Sequence, residues 1–202
     1  MSDFQSFFGN PDVTTYDECL KIFDFAEMTS DDIFYDLGCG YGTVCIVAAQ
    51  KYSPKKIIGI EARYENFLEA TNRILEKNLE KKIILKNEFV ENINFSEATL
   101  IYYSIKPNLN HLLHLSKMMK KNCRIVTPKI PLPSIKPKKT MKINNSNFYL
   151  MEGPLEKYKA KNSDEWARSI SDYKHTGIKG LLEVEKNNAK WIKELISQIY
   201  FN

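Results

Sequence analysis

The chain has 202 residues, and its 29 Lys and Arg residues against 25 Asp and Glu residues give a formal net charge of +4. Its contents of 43% hydrophobic and 27% charged residues lie near the averages for globular domains, which excludes disordered, collagen-like and coiled-coil classes. A chain of this length buries enough apolar surface to fold without disulfides or a structural metal.

Helical and strand patterns alternate along the first two thirds of the chain. Apolar residues recur at helical spacing in segments 16–28, 43–51, 64–79 and 109–119. Short apolar runs predict strands at 33–37, 56–61, 83–85, 98–103 and 124–127, with a further strand at 148–151. This alternation predicts an α/β fold with a mostly parallel sheet, helices on both faces and right-handed crossovers.

The character of the sequence changes after residue 127. Segment 128–142 contains four prolines, five lysines and no acidic residue, which predicts an extended basic loop. The tail after residue 181 ends in a predicted helix with Trp191 and Leu195 on its apolar face. We therefore divide the chain into a helical lead (1–30), a core (31–153) and a C-terminal extension (154–202).

The four cysteines form no C-x-x-C pair, so we interpret them as reduced thiols in a reducing compartment. The first residues lack both a basic lead and a sustained apolar run, and no segment approaches the roughly 20 apolar residues that span a bilayer. His111 and His114 share a helix face, but no cysteine or carboxylate joins them, so we expect no metal site. The sequence predicts an intracellular, soluble protein without membrane contact, and we expect a monomer.

A glycine-rich loop follows the first predicted strand. The sequence Asp36-Leu-Gly38-Cys39-Gly40-Tyr-Gly42 has G-x-G-x-G spacing, whereas the dinucleotide fingerprint is G-x-G-x-x-G. The glycines allow positive φ and close approach of a ligand to the backbone. Asp36 would repel a pyrophosphate but can accept a hydrogen bond from an amino group. S-adenosylmethionine, which carries a cationic amino-acid moiety, therefore fits better than a dinucleotide.

Two more acidic residues follow the next two predicted strands. Glu61 ends the second strand, where a carboxylate can bind two ribose hydroxyls. Glu88 follows the third strand and can accept from an adenine amino group, while Phe89 beside it offers an aromatic face. The alternative for a lone glycine loop is a tight strand-to-helix turn, but three acids at successive strand ends favour a cofactor site.

Several stretches together resemble a class I methyltransferase and, within that class, the disruptor-of-telomeric-silencing family of histone lysine methyltransferases without a SET domain. The resemblance runs from about residue 14 to residue 183. Matching stretches are Thr14-Thr15-Tyr16-Asp17, Asp36-Leu-Gly38-Cys39-Gly40, Gly59-Ile60-Glu61, Asn87-Glu88-Phe89, Arg124-Ile125-Val126-Thr127, and Trp166 with Tyr173, His175 and Thr176. Archaeal lysine methyltransferases of the same fold are a second similar group.

The resemblance implies a Rossmann-like core with a mostly parallel, seven-stranded sheet and S-adenosylmethionine as cofactor. It implies that Thr15, with the loop and strand-end residues above, contacts the cofactor. In the family, the aromatic residues that match Trp166 and Tyr173 line the channel through which the target lysine reaches the methyl group. Thr14 and Ser104 would add polar contacts near the amine, and Ser104 stands where the family has an asparagine.

The resemblance predicts a protein-lysine methyltransferase that acts on a histone or another chromatin protein. The alternatives are methylation of RNA or a small molecule on the same scaffold, and a catalytically silent module that only binds the cofactor. The basic segment that starts at Lys129 and ends at Lys142 is the candidate contact with a nucleosome or nucleic acid. We expect a nuclear location in a eukaryote, the host nucleus for a virus, and the cytoplasm in an archaeon.

Overall fold

The computed structural model of the protein describes residues 14–105, 109–129, 131–132 and 137–154. Four helices are present in this part of the chain: α1 (Tyr16–Phe25), α2 (Thr43–Lys51), α3 (Tyr64–Glu76) and α4 (Leu109–Met118), with a short 3₁₀ helix at Val90–Asn92. The strands are β1 (Ile33–Leu37), β2 (Lys56–Ile60), β3 (Ile83–Lys86), β4 (Leu100–Tyr103), β5 (Arg124–Pro128), β6 (Lys139–Ile143) and β7 (Ser146–Glu152).

The strands form one seven-stranded sheet in the order β3-β2-β1-β4-β5-β7-β6. The first five strands are parallel, whereas β7 pairs antiparallel with β5 and with β6. The mostly parallel, seven-stranded sheet that the resemblance implied is thereby confirmed. The strand order reverses between β1 and β4, and ligands of open α/β sheets bind in the crevice at the carboxyl ends of such strands.

Two apolar clusters cover the two faces of the sheet. On one face, α1, α2 and α3 pack through residues that include Phe23, Val47 and Ile74. On the other face, α4 and the 3₁₀ helix pack through Leu115 and Val90. The near-continuous burial of β1, β2 and β4 is that of parallel strands covered on both sides.

The segment predicted as an N-terminal lead is joined closely to the core. Thr15 caps α1, and its hydroxyl and the carboxylate of Glu18 form a reciprocal capping box. Cys19, Ile22 and Phe23 of α1 are almost fully buried. The helix therefore packs against the same sheet as the core and directly precedes β1.

The predicted extended loop at 128–142 is wrong in its last part. Residues Lys139–Ile143 form β6, which pairs with β7 across a turn that contains Asn144 at φ 53°. The high lysine content hides the strand because Lys139 and Thr140 lie on an exposed sheet edge, where charged residues are common. The helices predicted at 16–28 and 64–79 end early, at Phe25 and Glu76, close to residues with positive φ.

The predicted tail helix and most of the C-terminal extension lie outside the described residues. Within the described ranges, no helix combines the length and apolar character needed to cross a membrane.

Candidate active site

The glycine loop that follows β1 is fixed against the end of β2. The backbone amides of Gly38 and Cys39 both donate to the carbonyl of Ile60, each with an N–O distance of 2.9 Å. Gly38 has a φ of 89°, and a methyl group added there would lie 2.2 Å from Cγ2 of Ile105. The first glycine is therefore required both by backbone conformation and by close packing.

Asp36 is 1% exposed and lies beneath this loop near the carboxyl end of β1. Its Oδ2 accepts a hydrogen bond from the thiol of Cys45 at 3.5 Å, whereas its Oδ1 has no partner. Burial raises the pKa of this carboxyl to about 7; the Cys45 thiol acts in the opposite direction, and the charge of Glu61 adds to the rise. A buried carboxylate oxygen without a donor is an incomplete site that an ammonium group can complete.

Glu61 lies directly after β2 and is 8% exposed. One carboxylate oxygen accepts from the amide of Gly40 at 2.9 Å, and the other accepts from the amide of Arg63 at 2.8 Å. Each oxygen keeps accepting capacity beyond these bonds, since a carboxylate offers about four lone-pair sites. Glu61 therefore shapes the glycine loop and can also bind ribose hydroxyls.

The predicted adenine contacts follow β3. Glu88 is exposed and Phe89 is 54% exposed, so both side chains are available to a ligand. The preceding residue, Asn87, donates its amide to the carbonyl of Glu61 at 2.9 Å and to that of Ala62 at 3.2 Å. This bridge between the ends of β2 and β3 was not predicted, although the position of Asn87 directly after a strand was a usable signal.

The end of β4 contacts both the glycine loop and the segment before α1. The hydroxyl of Ser104 donates to the carbonyl of Gly38 at 3.0 Å. The hydroxyl of Thr14 lies 3.3 Å from that of Tyr102, which is buried and lies beside Asp36 in the strand register. The structure thus brings Thr14 and Ser104 to the crevice between β1 and β4, whereas the Thr15 hydroxyl serves as the helix cap.

The sequence alone did not reveal the polar groups below this crevice. By their sequence alone, Tyr102 and Tyr103 could equally be ordinary strand residues, and His111 a surface or half-buried histidine. In the structure, the Tyr103 hydroxyl lies 2.8 Å from Nδ1 of His111. Trp166 and Tyr173, the predicted channel residues, lie outside the described residues.

The described side chains fit S-adenosylmethionine. The unpartnered Oδ1 of Asp36 suits its ammonium group, and the tight loop at Gly38 leaves backbone open to close approach. Glu61 and the Glu88-Phe89 pair would hold its ribose and adenine. Within the described ranges, no cluster of three or more His, Cys, Asp or Glu side chains could hold a metal ion.

Comparison with known proteins agrees with this geometry. The family model for the histone methylation protein DOT1 matches residues 12–176. A protein-lysine N-methyltransferase of Saccharolobus islandicus (strain REY15A) is 34% identical over 132 residues, which cover 63% of this chain and 81% of that protein. The chain belongs to the DOT1 family.

Two further relatives are more distant. A tRNA (guanine-N(7)-)-methyltransferase of Debaryomyces hansenii is 30% identical over 92 residues, or 46% of this chain and 30% of that protein. The structure of an RNA methyltransferase from Salinibacter ruber with S-adenosyl-L-homocysteine has a TM-score of 0.66 at 21% identity, covering 71% of this chain and 95% of that one. This last likeness shows the fold alone.

Membership of the DOT1 family confirms the predicted class of enzyme, an S-adenosylmethionine-dependent protein-lysine methyltransferase with a Rossmann-like fold. It also confirms the predicted cofactor. The substrate is accordingly a protein.

Proposed function

We propose that this DOT1-family enzyme methylates a lysine side chain of a histone or of another chromatin protein. The observation that carries the proposal is the extent of the family match, which continues past the cofactor-binding core to residue 176. The matched range includes Trp166 and Tyr173, which resemble the two aromatic residues that line the lysine channel in the family.

The residues of the crevice would bind the cofactor and orient it towards the acceptor. Bound S-adenosylmethionine supplies a methyl group already activated on a sulfonium, so the protein contributes mainly by alignment, which is worth up to roughly 7–11 kcal/mol. Asp36 would hold the ammonium group of the cofactor, and Glu61 its ribose. Ser104 holds the end of β4 against Gly38 and so fixes the position from which the acceptor approaches.

The acceptor amine has to lose its proton before it can react. A free lysine has a pKa of about 10.4, so less than about a tenth of a percent is neutral at pH 7. An aromatic channel built by Trp166 and Tyr173 would lower that pKa by desolvation, and the neighbouring sulfonium would lower it further by repulsion. Thr14 and Ser104 would then hydrogen-bond the neutral amine, and no strong general base is needed.

The basic segment 129–142 is the proposed contact with nucleosomal DNA. Its lysines are not all free to bind phosphate, because Lys138 pairs with Glu152 and Lys139 pairs with Glu27. Exposed ion pairs are weak, so a phosphate can displace the acidic partner. Nucleosome binding should therefore weaken with salt, and a Glu27→Gln, Glu152→Gln double variant should bind nucleosomes more tightly than the wild type.

The alternative substrate is RNA, favoured by the 92-residue match to a tRNA methyltransferase. A labelled-methyl assay against nucleosomes, free histones, tRNA and bulk protein separates the two. The proposal predicts label in histones and in nucleosomes, and label confined to tRNA would reject it. If the protein binds S-adenosylhomocysteine but labels none of these substrates, it would be the catalytically silent module that only binds the cofactor.

Variants of the two aromatic residues test the channel. Tyr173→Ala and Trp166→Ala should leave the affinity for S-adenosylhomocysteine unchanged and reduce methyl transfer at least tenfold. Trp191→Ala, the other tryptophan of the chain and outside the family match, serves as the control and should keep full activity. Full activity of Tyr173→Ala would contradict the proposed lysine channel.

Location and assembly are further parts of the proposal. We propose that the enzyme is a monomer that works in the nucleus of a eukaryote or of a virus-infected host, or in the cytoplasm of an archaeon. Light scattering and a tagged copy of the chain test these two proposals, and a stable dimer or exclusion from chromatin would contradict them.

A further inference from the structure

Three side chains from three elements form a chain of hydrogen bonds below the β4 end of the crevice, with its Tyr103 end buried. The hydroxyl of Tyr103, the last residue of β4, lies 2.8 Å from Nδ1 of His111 on α4. On the other side of the ring, Nε2 of His111 lies 3.0 Å from a carboxylate oxygen of Glu91 in the 3₁₀ helix. The imidazole, on α4, therefore ties together the 3₁₀ helix and the end of β4.

The protonation pattern of this chain follows from the groups involved. An ionised carboxylate can only accept, so the proton on the Glu91 side belongs to Nε2 of His111. In the neutral ring, Nδ1 then accepts the hydroxyl proton of Tyr103, and every group has a partner. The Tyr103 side chain is 1% exposed, so its hydroxyl cannot turn to bulk water if the imidazole is removed.

Both ends of the chain lead to the cofactor site. Tyr103 precedes Ser104, whose hydroxyl donates to the carbonyl of Gly38 in the glycine loop. Glu91 follows Glu88 and Phe89, the predicted adenine contacts, by three and two residues. One side chain thus joins the segment that would receive the adenine to the strand end from which the acceptor would approach.

We infer that His111 is a positioning residue that sets the adenine segment relative to the end of β4. Its loss would allow the Glu88-Phe89 segment and the β4 end to move independently, which weakens cofactor binding and misaligns the methyl group. This role lies beyond the proposed substrate and does not depend on which protein accepts the methyl group.

Two variants and a matched control distinguish a positioning role of His111 from a mere contribution to stability. His111→Phe keeps an aromatic ring that can preserve the edge-to-face contact with Tyr103 but removes both hydrogen bonds. Tyr103→Phe removes only the hydroxyl. Tyr35→Phe is the control, because Tyr35 is also a buried strand tyrosine on the same face of the sheet. Its hydroxyl donates to Glu97, in the loop before β4, and takes no part in the His111 chain.

The main readout is the affinity for S-adenosylhomocysteine, measured by calorimetry on the full chain, with turnover and melting temperature measured in parallel. We expect His111→Phe to weaken binding at least tenfold and Tyr103→Phe at least threefold, while Tyr35→Phe lowers the melting temperature with binding and kcat within twofold of wild type. A His111→Phe protein that melts earlier but keeps both values within twofold would overturn the inference.

A double-mutant cycle keeps the inference testable if His111→Phe does not fold. Tyr103→Phe and Glu91→Ala each break one end of the chain. If the imidazole couples the two ends, the double variant should bind S-adenosylhomocysteine little worse than the weaker-binding single variant. Losses that simply multiply would show that His111 carries no coupling. Because the binding assay contains no acceptor, a wrong substrate proposal would leave its outcome unaffected.

Discussion

A carboxylate oxygen of Glu61 accepts a hydrogen bond from the backbone amide of Gly40, with an N–O distance of 2.9 Å. The residue expected to bind the ribose therefore also holds the glycine loop in place. Its second oxygen is bonded to the amide of Arg63, so both oxygens face backbone N–H groups. The shape of the loop after β1 thus depends on an acidic side chain that follows β2.

Glu61→Gln tests this double role. The amide nitrogen of glutamine cannot accept, so one of the two backbone N–H groups would face another donor. We expect the dissociation constant for S-adenosylhomocysteine to rise at least tenfold, measured by calorimetry. Glu65→Gln, an exposed change in the first turn of α3, is the control and should bind normally. Equal affinities for the two variants would contradict the placement of Glu61.

The raised pKa of Asp36, about 7, makes cofactor binding depend on pH. The neutral carboxyl cannot attract an ammonium group, so affinity should fall by up to about tenfold for each pH unit below 7 and level off above it. Titrations at pH 5, 6, 7 and 8 measure this profile. An affinity that stays flat across the range would mean that Asp36 does not contact the ligand.

The same carboxyl lowers the stability of the empty protein. In the unfolded chain the Asp36 carboxyl ionises near its ordinary pKa of 3.8, whereas in the folded chain it keeps its proton up to about pH 7. The unfolded state therefore binds fewer protons between these values, and stability falls as pH rises through this window. Asp36→Asn should remove this loss of stability. Without ligand, the variant should be more stable than the wild type at pH 8, yet it should be unable to bind S-adenosylhomocysteine. Urea unfolding at pH 5 and pH 8 measures the difference, and an Asn variant with the wild-type pH dependence would contradict it.

The packing of Gly38 against Ile105 predicts a partial rescue. Gly38→Ala adds a methyl group 2.2 Å from Cγ2 of Ile105 at a positive φ, and the backbone conformation alone costs an alanine roughly 1–2 kcal/mol. We expect cofactor binding to be lost. Adding Ile105→Ala removes the clash but not the backbone strain, so thermal stability should recover in part. A single Gly38→Ala variant that binds as wild type would show that the loop tolerates a side chain.

An ion pair at the amino ends of the strands supports the fold on the side of the sheet away from the site. Asp32 is 3% exposed, pairs with Arg124 and accepts the Thr99 hydroxyl at 2.5 Å. Burial alone would raise its pKa, but the bonds from Thr99, the Thr29 amide and Arg124 outweigh it and hold the pKa below its usual range.

Asp32→Asn should therefore destabilise the protein by about 3 kcal/mol at pH 7, because it leaves the Arg124 charge without its partner. Since the folded pKa is depressed, this contribution is present above the unfolded pKa and is lost as pH falls through the folded value. The exposed neighbour Asp31 offers the matched control, and Asp31→Asn should change stability by less than about 0.5 kcal/mol. Urea unfolding at pH 7 measures the free energy of unfolding of both variants. Equal losses of stability would contradict the stabilising role of the Asp32–Arg124 ion pair.

The sequence predicted most of this architecture because its signals are local. Strand and helix periods, and the position of Asp36, Glu61 and Glu88 after successive strands, can be read within a few residues. The strand β6 was missed because its lysines resemble those of the loop before it. For Asn87 the local pattern marked a strand end, but not the carbonyl groups that its amide bonds. The chain from Tyr103 through His111 to Glu91 joins residues that only the folded sheet brings together, so no local pattern could reveal it.

The most direct test of the account is the chemical identity of the methylated group. The full chain is incubated with labelled S-adenosylmethionine and nucleosomes, free histones or tRNA, and the labelled products are hydrolysed and separated. We expect label in methylated lysine, and we expect that label to be lost in Asp36→Asn. Label in a nucleoside, or in an amino acid other than lysine, would contradict it.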